Sequence, residues 1–362
     1  METVCPPNPD SAALPPSTLQ QRAQQRKLEG LRRDFGPLCL QLLDTPDVIE
    51  LMLNPDGRIW IDQLGIGMKD TGYRMPRAQA EKLLGDLAAM LDTELTREKP
   101  ILEGELPLDG SRFEGLIPPV VVQPVFSIRK RAALVFTLED YEQQGILSCF
   151  DDRLNQHHCA SPSFADSVRG KSHRDVIRLA VQQRKNILVI GSTGSGKTTL
   201  VNAILHAICQ LTPEHRIILI EDTGEIQCAA ENAVALRAYP GDARRDIAAL
   251  LRATMRLRPD RIIVGEVRDG AALALLKMWN TGHPGGLATI HANDCEHGLV
   301  RMQQLIDENA GITANPHVIA HSIDLCIFIE KEASIAAGRK VKQVALVERY
   351  DETRQKYVVR QI

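Results

Sequence analysis

Residues 190–200 read IGSTGSGKTTL. Gly191 and Gly196 bracket four residues, Lys197 and Thr198 follow, and this spacing is the pattern that wraps backbone N–H groups around the phosphates of a nucleotide. The glycines permit backbone angles and an approach to an anion that a Cβ would block. In this reading Gly191, Ser192, Thr193, Gly194, Ser195, Gly196, Lys197, Thr198 and Thr199 form the cradle for ATP. Lys197 reaches the β- and γ-phosphates, the Thr198 hydroxyl binds Mg²⁺, and the helix that opens here points its positive end at the anion. The flanks agree: KNILVI (185–190) is a short run of β-formers, and TTLVNAILHAIC (198–209) places apolar residues at helical spacing.

Outward from this loop, RIILIED (216–222), RIIVGEV (261–267) and GLATIHA (286–292) alternate with helix-like stretches. That alternation predicts an α/β domain with a mainly parallel sheet covered by helices. DLCIFIEK (324–331) and residues 341–362 read as a strand and a hairpin that extend the sheet by antiparallel pairing. On the N-terminal side, LEGLRRDFGPLCLQLLD (28–44) repeats leucine at helical intervals, and VIELMLNPDGRIWIDQLG (48–65) reads as two strands about an NPDG turn. MPRAQAEKLLGDLAAMLD (75–92) is an amphipathic helix, and GLIPPVVVQPVFSIRK (115–130) is β-rich but broken by prolines that suit sheet edges. The expected organisation is a disordered tail over 1–28, an α+β domain over 29–145, a linker over 146–171 and a P-loop domain over 172–362.

A chain of 362 residues, 44% hydrophobic and 25% charged, has room for two such domains. Its net charge of −3 gives no global basic character to argue for nucleic-acid binding, although a local basic channel stays open. The eight cysteines contain no C-x-x-C pair, which argues against a zinc module or a disulfide framework and for a reducing cytoplasm. HHC at 157–159 is read as linker rather than as a metal site, and no apolar run is long enough to span a membrane.

Polar residues gather where the apolar strand runs stop, which is where a doubly wound sheet collects its ligand site. Glu221, Asp222 and Glu225 follow one run, Glu266 ends another and His291 ends a third. Phosphoanhydride hydrolysis needs a metal held, a water oriented and phosphoryl charge compensated. A strand of the Walker-B kind usually ends in Asp-Glu, but Gly265 stands in the Asp position and only Glu266 remains. Glu266 is therefore assigned to the Mg²⁺-bound water or the γ-phosphate region, and Glu225 to the nucleophilic water. Glu221 and Asp222 support the metal shell, His291 senses the γ-phosphate or passes its state to a neighbouring subunit, and His283 is read as structural.

GSTGSGKTTL, IEDTGEI (220–226), RPDRIIVGEVRDG (258–270) and WNTGHPGGLATIHAND (279–294) follow one another in the order of four boxes. In this the sequence resembles the type II/IV secretion NTPase family, and in its His-box neighbourhood the conjugative-transfer branch. The resemblance implies a RecA-like C-terminal domain, a PAS-like N-terminal domain and a homohexameric ring with ATP between the domains. It further implies ATP hydrolysis that drives conjugation or type IV secretion from the cytoplasmic face of the inner membrane, with channel proteins of that membrane as partners. Type II secretion and type IV pilus assembly motors are the alternative branches, and a nucleotide-gated assembly scaffold, whose bound ATP or ADP sets a docking surface, is the alternative of another class. Arginines of the N-terminal domain reach the nucleotide in such rings, and Arg112 in GSRFEGLIPP and Arg129 in FSIRKRA are the matching positions.

Overall fold

The computed structural model describes residues 16–131, 137–147, 163–309 and 311–362. It opens with α1 (Pro16–Asp44), which is interrupted at Gly36, where φ 76° and ψ 165° break the helical path just before Pro37. Every fourth residue on either side of the break, Leu31, Phe35, Cys39 and Leu43, is buried. β1 (Val48–Leu53) and β2 (Arg58–Gln63) fold back about residues 54–57, and β3 (Gly67–Arg74), α2 (Arg77–Met90), β4 (Ile101–Glu105), β5 (Arg112–Leu116) and β6 (Val125–Arg129) follow. The six strands lie in the order β3-β2-β1-β6-β5-β4, and α1 and α2 cover the sheet with Leu83, Leu84 and Leu87 among the buried contacts.

Short helices α3 (Leu138–Gln143) and α4 (Phe164–Ser167) precede α5 (His173–Gln182) and the second unit. There β7 (Ile187–Ile190), α6 (Lys197–Leu211), β8 (Ile217–Glu221), β9 (Ala233–Arg237), α7 (Ile247–Thr254), β10 (Arg261–Val264), α8 (Ala271–Asn280) and β11 (Leu287–Ile290) alternate. α9 (Cys295–Asp307), α10 (Pro316–Ser322), β12 (Leu325–Lys331), β13 (Arg339–Asp351) and β14 (Lys356–Gln361) complete it. The sheet order is β14-β13-β12-β7-β11-β10-β8-β9, parallel from β12 to β9 and antiparallel through the terminal hairpin. The strands read as unbroken apolar runs because both faces are covered. Ile187 and Val189 face α5 and α6, while Leu188 and Ile190 face the layer built by α7 to α10.

Three expectations are corrected. Residues 16–28 belong to α1, so the region read as a disordered tail is helical from Pro16 onward, and residues 1–15 lie outside the described set. The region read as linker already belongs in part to the second unit, because Val168 is 1% exposed and packs with α5 and α6. The HHC triplet at 157–159 lies outside the described residues. The prolines of 117–124 connect β5 and β6 rather than interrupting edge strands, and β6 pairs on both sides with β1 and β5. That connection lets Val120 and Val121 join the apolar layer of the second unit.

A polar seam accompanies this apolar one. The Arg216 guanidinium is fully buried and donates to the side-chain oxygens of Asn54 and Asn232 and to the Leu257 carbonyl. Nearby, Arg258 pairs with Asp62 at 2.8 Å.

Candidate active site

The loop from β7 into α6 is built as its glycines require. Gly194 and Gly196 take φ of 71° and 96°, and a Cβ at Gly191 would lie 2.3 Å from the Ile329 carbonyl oxygen. Lys197, 8% exposed, folds back and donates to the Gly191 and Ser192 carbonyls at 2.9 and 3.0 Å. Burial pushes its ammonium pKa down, against the opposing charges of Glu266 and Glu225. Ser195 Oγ is buried with no hydrogen-bond partner among the described residues.

The strand ends bring the other predicted residues around a cavity of about 310 Å³ that Lys197, Thr198, Glu221, Glu225, Glu266 and His291 all line. His291 Nδ1 stands 3.3 Å from Lys197 Nζ, and its Nε2 stands 3.2 Å from Glu266 Oε1. An ammonium can only donate, so Nδ1 accepts and Nε2 carries the hydrogen that faces Glu266. Arg268 then joins Glu266 at 2.7 Å to Asp222 at 2.8 Å. Burial raises the Glu266 pKa, but the Arg268 hydrogen bond, the facing His291 N–H and the charges of Arg268 and Lys197 outweigh it and hold the carboxyl below the usual range. Arg268 is the residue that sequence reasoning missed. Its signal was the cation two places after Glu266 in GEVRD.

Glu221 and Glu225 divide their work. Glu221 is 8% exposed, and its Oε1 accepts the N–H groups of Glu225 and Ile226 at 3.1 and 3.0 Å. Burial pushes its pKa up. It thereby fixes the segment that follows β8, and Gln227 N–H donates to Asn202 on α6 at 2.9 Å to hold the same segment down. Glu225 so placed accepts from Thr198 Oγ1 at 3.0 Å.

These residues fit a magnesium nucleotide. A Cβ at Gly191 or Gly196 would crowd neighbouring atoms, and the loop carries an orphaned hydroxyl and an ammonium. Among the described residues no group of three or more His, Cys, Asp or Glu side chains is arranged to hold a metal alone. Mg²⁺ asks for no such group, since it takes one or two protein oxygens and fills its shell with phosphate and water.

Arg112 and Arg129 stand apart from this cavity. They face each other across β5 and β6 and line a second cavity of about 420 Å³ with Arg184, Arg258, Asp260 and His283. Arg184, Asp260 and His283 precede β7, β10 and β11, so this cavity lies at the starting ends of the parallel strands and the phosphate loop at their finishing ends.

The family model described as "Type II/IV secretion system protein" matches residues 155–357. The chain belongs to that family. Within it, the chain is 44% identical over 331 residues to the conjugal transfer protein TrbB of Rhizobium radiobacter, across 91% of this chain and 93% of that one. It is 30% identical over 321 residues to the type IV secretion system protein PtlH of Bordetella pertussis, across 83% of this chain and 91% of that one. The crystal structure of the VirB11 ATPase from the Brucella suis type IV secretion system, in complex with sulphate, superposes with a TM-score of 0.79. That match has 26% identity and covers 90% of this chain and 96% of that chain. The resemblance read from the four boxes is thus borne out at the level of the family. No helix among the described residues is long and apolar enough to cross a membrane.

Proposed function

We propose that this chain is an ATP-hydrolysing motor of a conjugative-transfer or type IV secretion machine. The observation that carries the chemistry is the unbroken line of contacts Asp222–Arg268–Glu266–His291–Lys197 ending on the phosphate loop. The identity with a conjugal transfer protein along nine-tenths of both chains supports the branch. The larger domain is RecA-like in this reading, because β11 separates the phosphate-loop strand β7 from β10, the strand that leads to Glu266. The smaller domain is read as PAS-like.

Lys197 leaves the loop carbonyls to meet the phosphates, and Thr198 with Glu225 offers oxygens toward Mg²⁺. The metal when bound supplies charge compensation on the phosphoryl oxygens. Glu266 stays ionised under Arg268 and His291 and orients water, with Glu225 on the opposite side of the cavity. Glu221 and Asp222 support this arrangement through the segment and the arginine they hold. His291 links the loop lysine to Glu266 and so transmits nucleotide state. Arg112 and Arg129, like charges facing each other without an ion-pair partner among the described residues, serve the nucleotide of an adjoining copy in a ring of six. Such a ring works at the cytoplasmic face of the inner membrane on channel proteins.

The test is turnover and nucleotide binding on the same preparations. Lys197→Ala is expected to abolish hydrolysis and weaken binding, whereas Glu266→Gln binds ATP and retains it with turnover lowered about 10²-fold or more. Wild-type turnover in either variant removes the assignment.

A further inference from the structure

The terminal hairpin sets two cations beside the phosphate loop. Lys331, the last residue of β12, is the register partner of Arg339, the first of β13. Like charges directly opposite across a ladder repel. No carboxylate relieves them, because Glu330 and Glu332 both engage Lys342, at 3.2 and 2.6 Å. Among the described residues neither Lys331 nor Arg339 has an ion-pair partner. They crowd the loop instead. A Cβ at Gly194 would lie 3.3 Å from Lys331 Nζ, and one at Gly196 would lie 2.6 Å from Arg339 Cδ. Arg339 Nη1 also donates to Thr199 Oγ1 at 3.0 Å.

The sheet order says which part of a nucleotide this pair faces. β12 flanks β7 on one side, while β11, β10 and β8, which deliver His291, Glu266 and Glu221, flank it on the other. The hydrolytic groups therefore lie to one side of the loop, and Lys331 and Arg339 to the other, against Thr199. We propose that Lys331 and Arg339 are nucleotide-binding residues that clamp the α-phosphate, the one next to the ribose, between them. This rests on the nucleotide reading given above. An anion between the two cations turns their repulsion into a shared attraction, and the planar fork of Arg339 can hold a phosphate oxygen while keeping Thr199.

ADP is the probe, since it carries the α-phosphate without the γ-phosphate that the hydrolytic groups serve. Full chains carrying Arg339→Ala, Lys331→Ala or Lys340→Ala are compared with wild type by calorimetric ADP binding and by thermal unfolding with and without ADP. Arg339→Ala and Lys331→Ala are each expected to raise the Kd for ADP about tenfold or more. Without nucleotide their unfolding temperature holds or rises, because repulsion is relieved, and the upward shift on adding ADP shrinks. Lys340→Ala removes the same charge from the other face of the strand and binds ADP as wild type does. Wild-type ADP affinity in the first two variants overturns the clamp and leaves nucleotide binding standing. Unfolding at lower temperature without nucleotide in both makes the pair structural and overturns it too. A wild-type chain that binds neither ADP nor ATP overturns the nucleotide reading itself.

Discussion

Gly265 holds the position where a strand of the Walker-B kind usually presents an aspartate, and its surroundings explain the glycine. A Cβ there would lie 2.9 Å from Glu221 Cγ, and Glu221 is fixed by the two backbone N–H groups it accepts. Gly265 N–H donates to the Ile220 carbonyl at 2.9 Å, and its own carbonyl accepts from Thr289 Oγ1 at 2.6 Å, so the backbone has no room to withdraw. Supplying the usual acid by Gly265→Asp would set a second carboxylate against Glu221 and push it off the segment that carries Glu225. Steady-state ATPase is expected to fall at least about tenfold rather than improve. Undiminished turnover would show that the Glu221 anchor is dispensable. The acids and the histidine of this site were legible because they gather where apolar runs stop, and the lysine because glycine spacing marks its loop. Arg268 was not, because the acids were read as metal ligands without asking which cation neutralises them.

Elements were legible where burial leaves a mark on sequence. β7, β8, β10, β11 and β12 are apolar throughout most of their length because helices cover both faces. β3, an edge strand with no buried residue, carries no such signal in GMKDTGYR and went unread, as did the edge strand β9. The interruption of α1 is another feature that leucine spacing conceals, since the repeat continues through it. Gly36 sits at φ 76°, ψ 165°, a region open in practice only to glycine, and the nearest atom to a Cβ there would be Gln79 Nε2 at 3.5 Å. Gly36→Ala therefore meets backbone strain rather than a packing clash and is expected to cost about 1–3 kcal/mol. Denaturant unfolding measures it, and a loss well under that range would mean that α1 can straighten without harm.

At the scale of the whole molecule, the boundary between the domains buries a carboxyl group. Glu114 is 1% exposed, neither carboxyl oxygen has a hydrogen-bond partner among the described residues, and its pKa is raised from 4.5 to about 9 by burial and by Glu103, against Arg256. Between those values the folded chain holds a proton that the unfolded chain has released, so stability falls as pH rises through the window. Glu114→Gln is expected to raise the unfolding temperature at pH about 8 and to change it little near pH 4; equal shifts at both would contradict this. The same boundary holds Arg112 and Arg129 away from their own phosphate loop, which gives a test of the ring. Arg129→Ala and Lys197→Ala chains, each defective alone, should recover activity when mixed, since about a quarter of the interfaces in a random equal mixture join an intact loop to an intact arginine. Failure to recover in assembled rings would deny Arg129 a role on a neighbour. The seam at Arg216 has a consequence for inheritance. Its guanidinium belongs to one domain, and one of the amides that receive it, Asn54, to the other. Losing either partner strands a buried charge or an unmet amide. The two halves of the gene must then drift together at these positions, and a chimera that joins the first half of one lineage to the second half of another inherits an intact boundary only if both parents kept the same partners there.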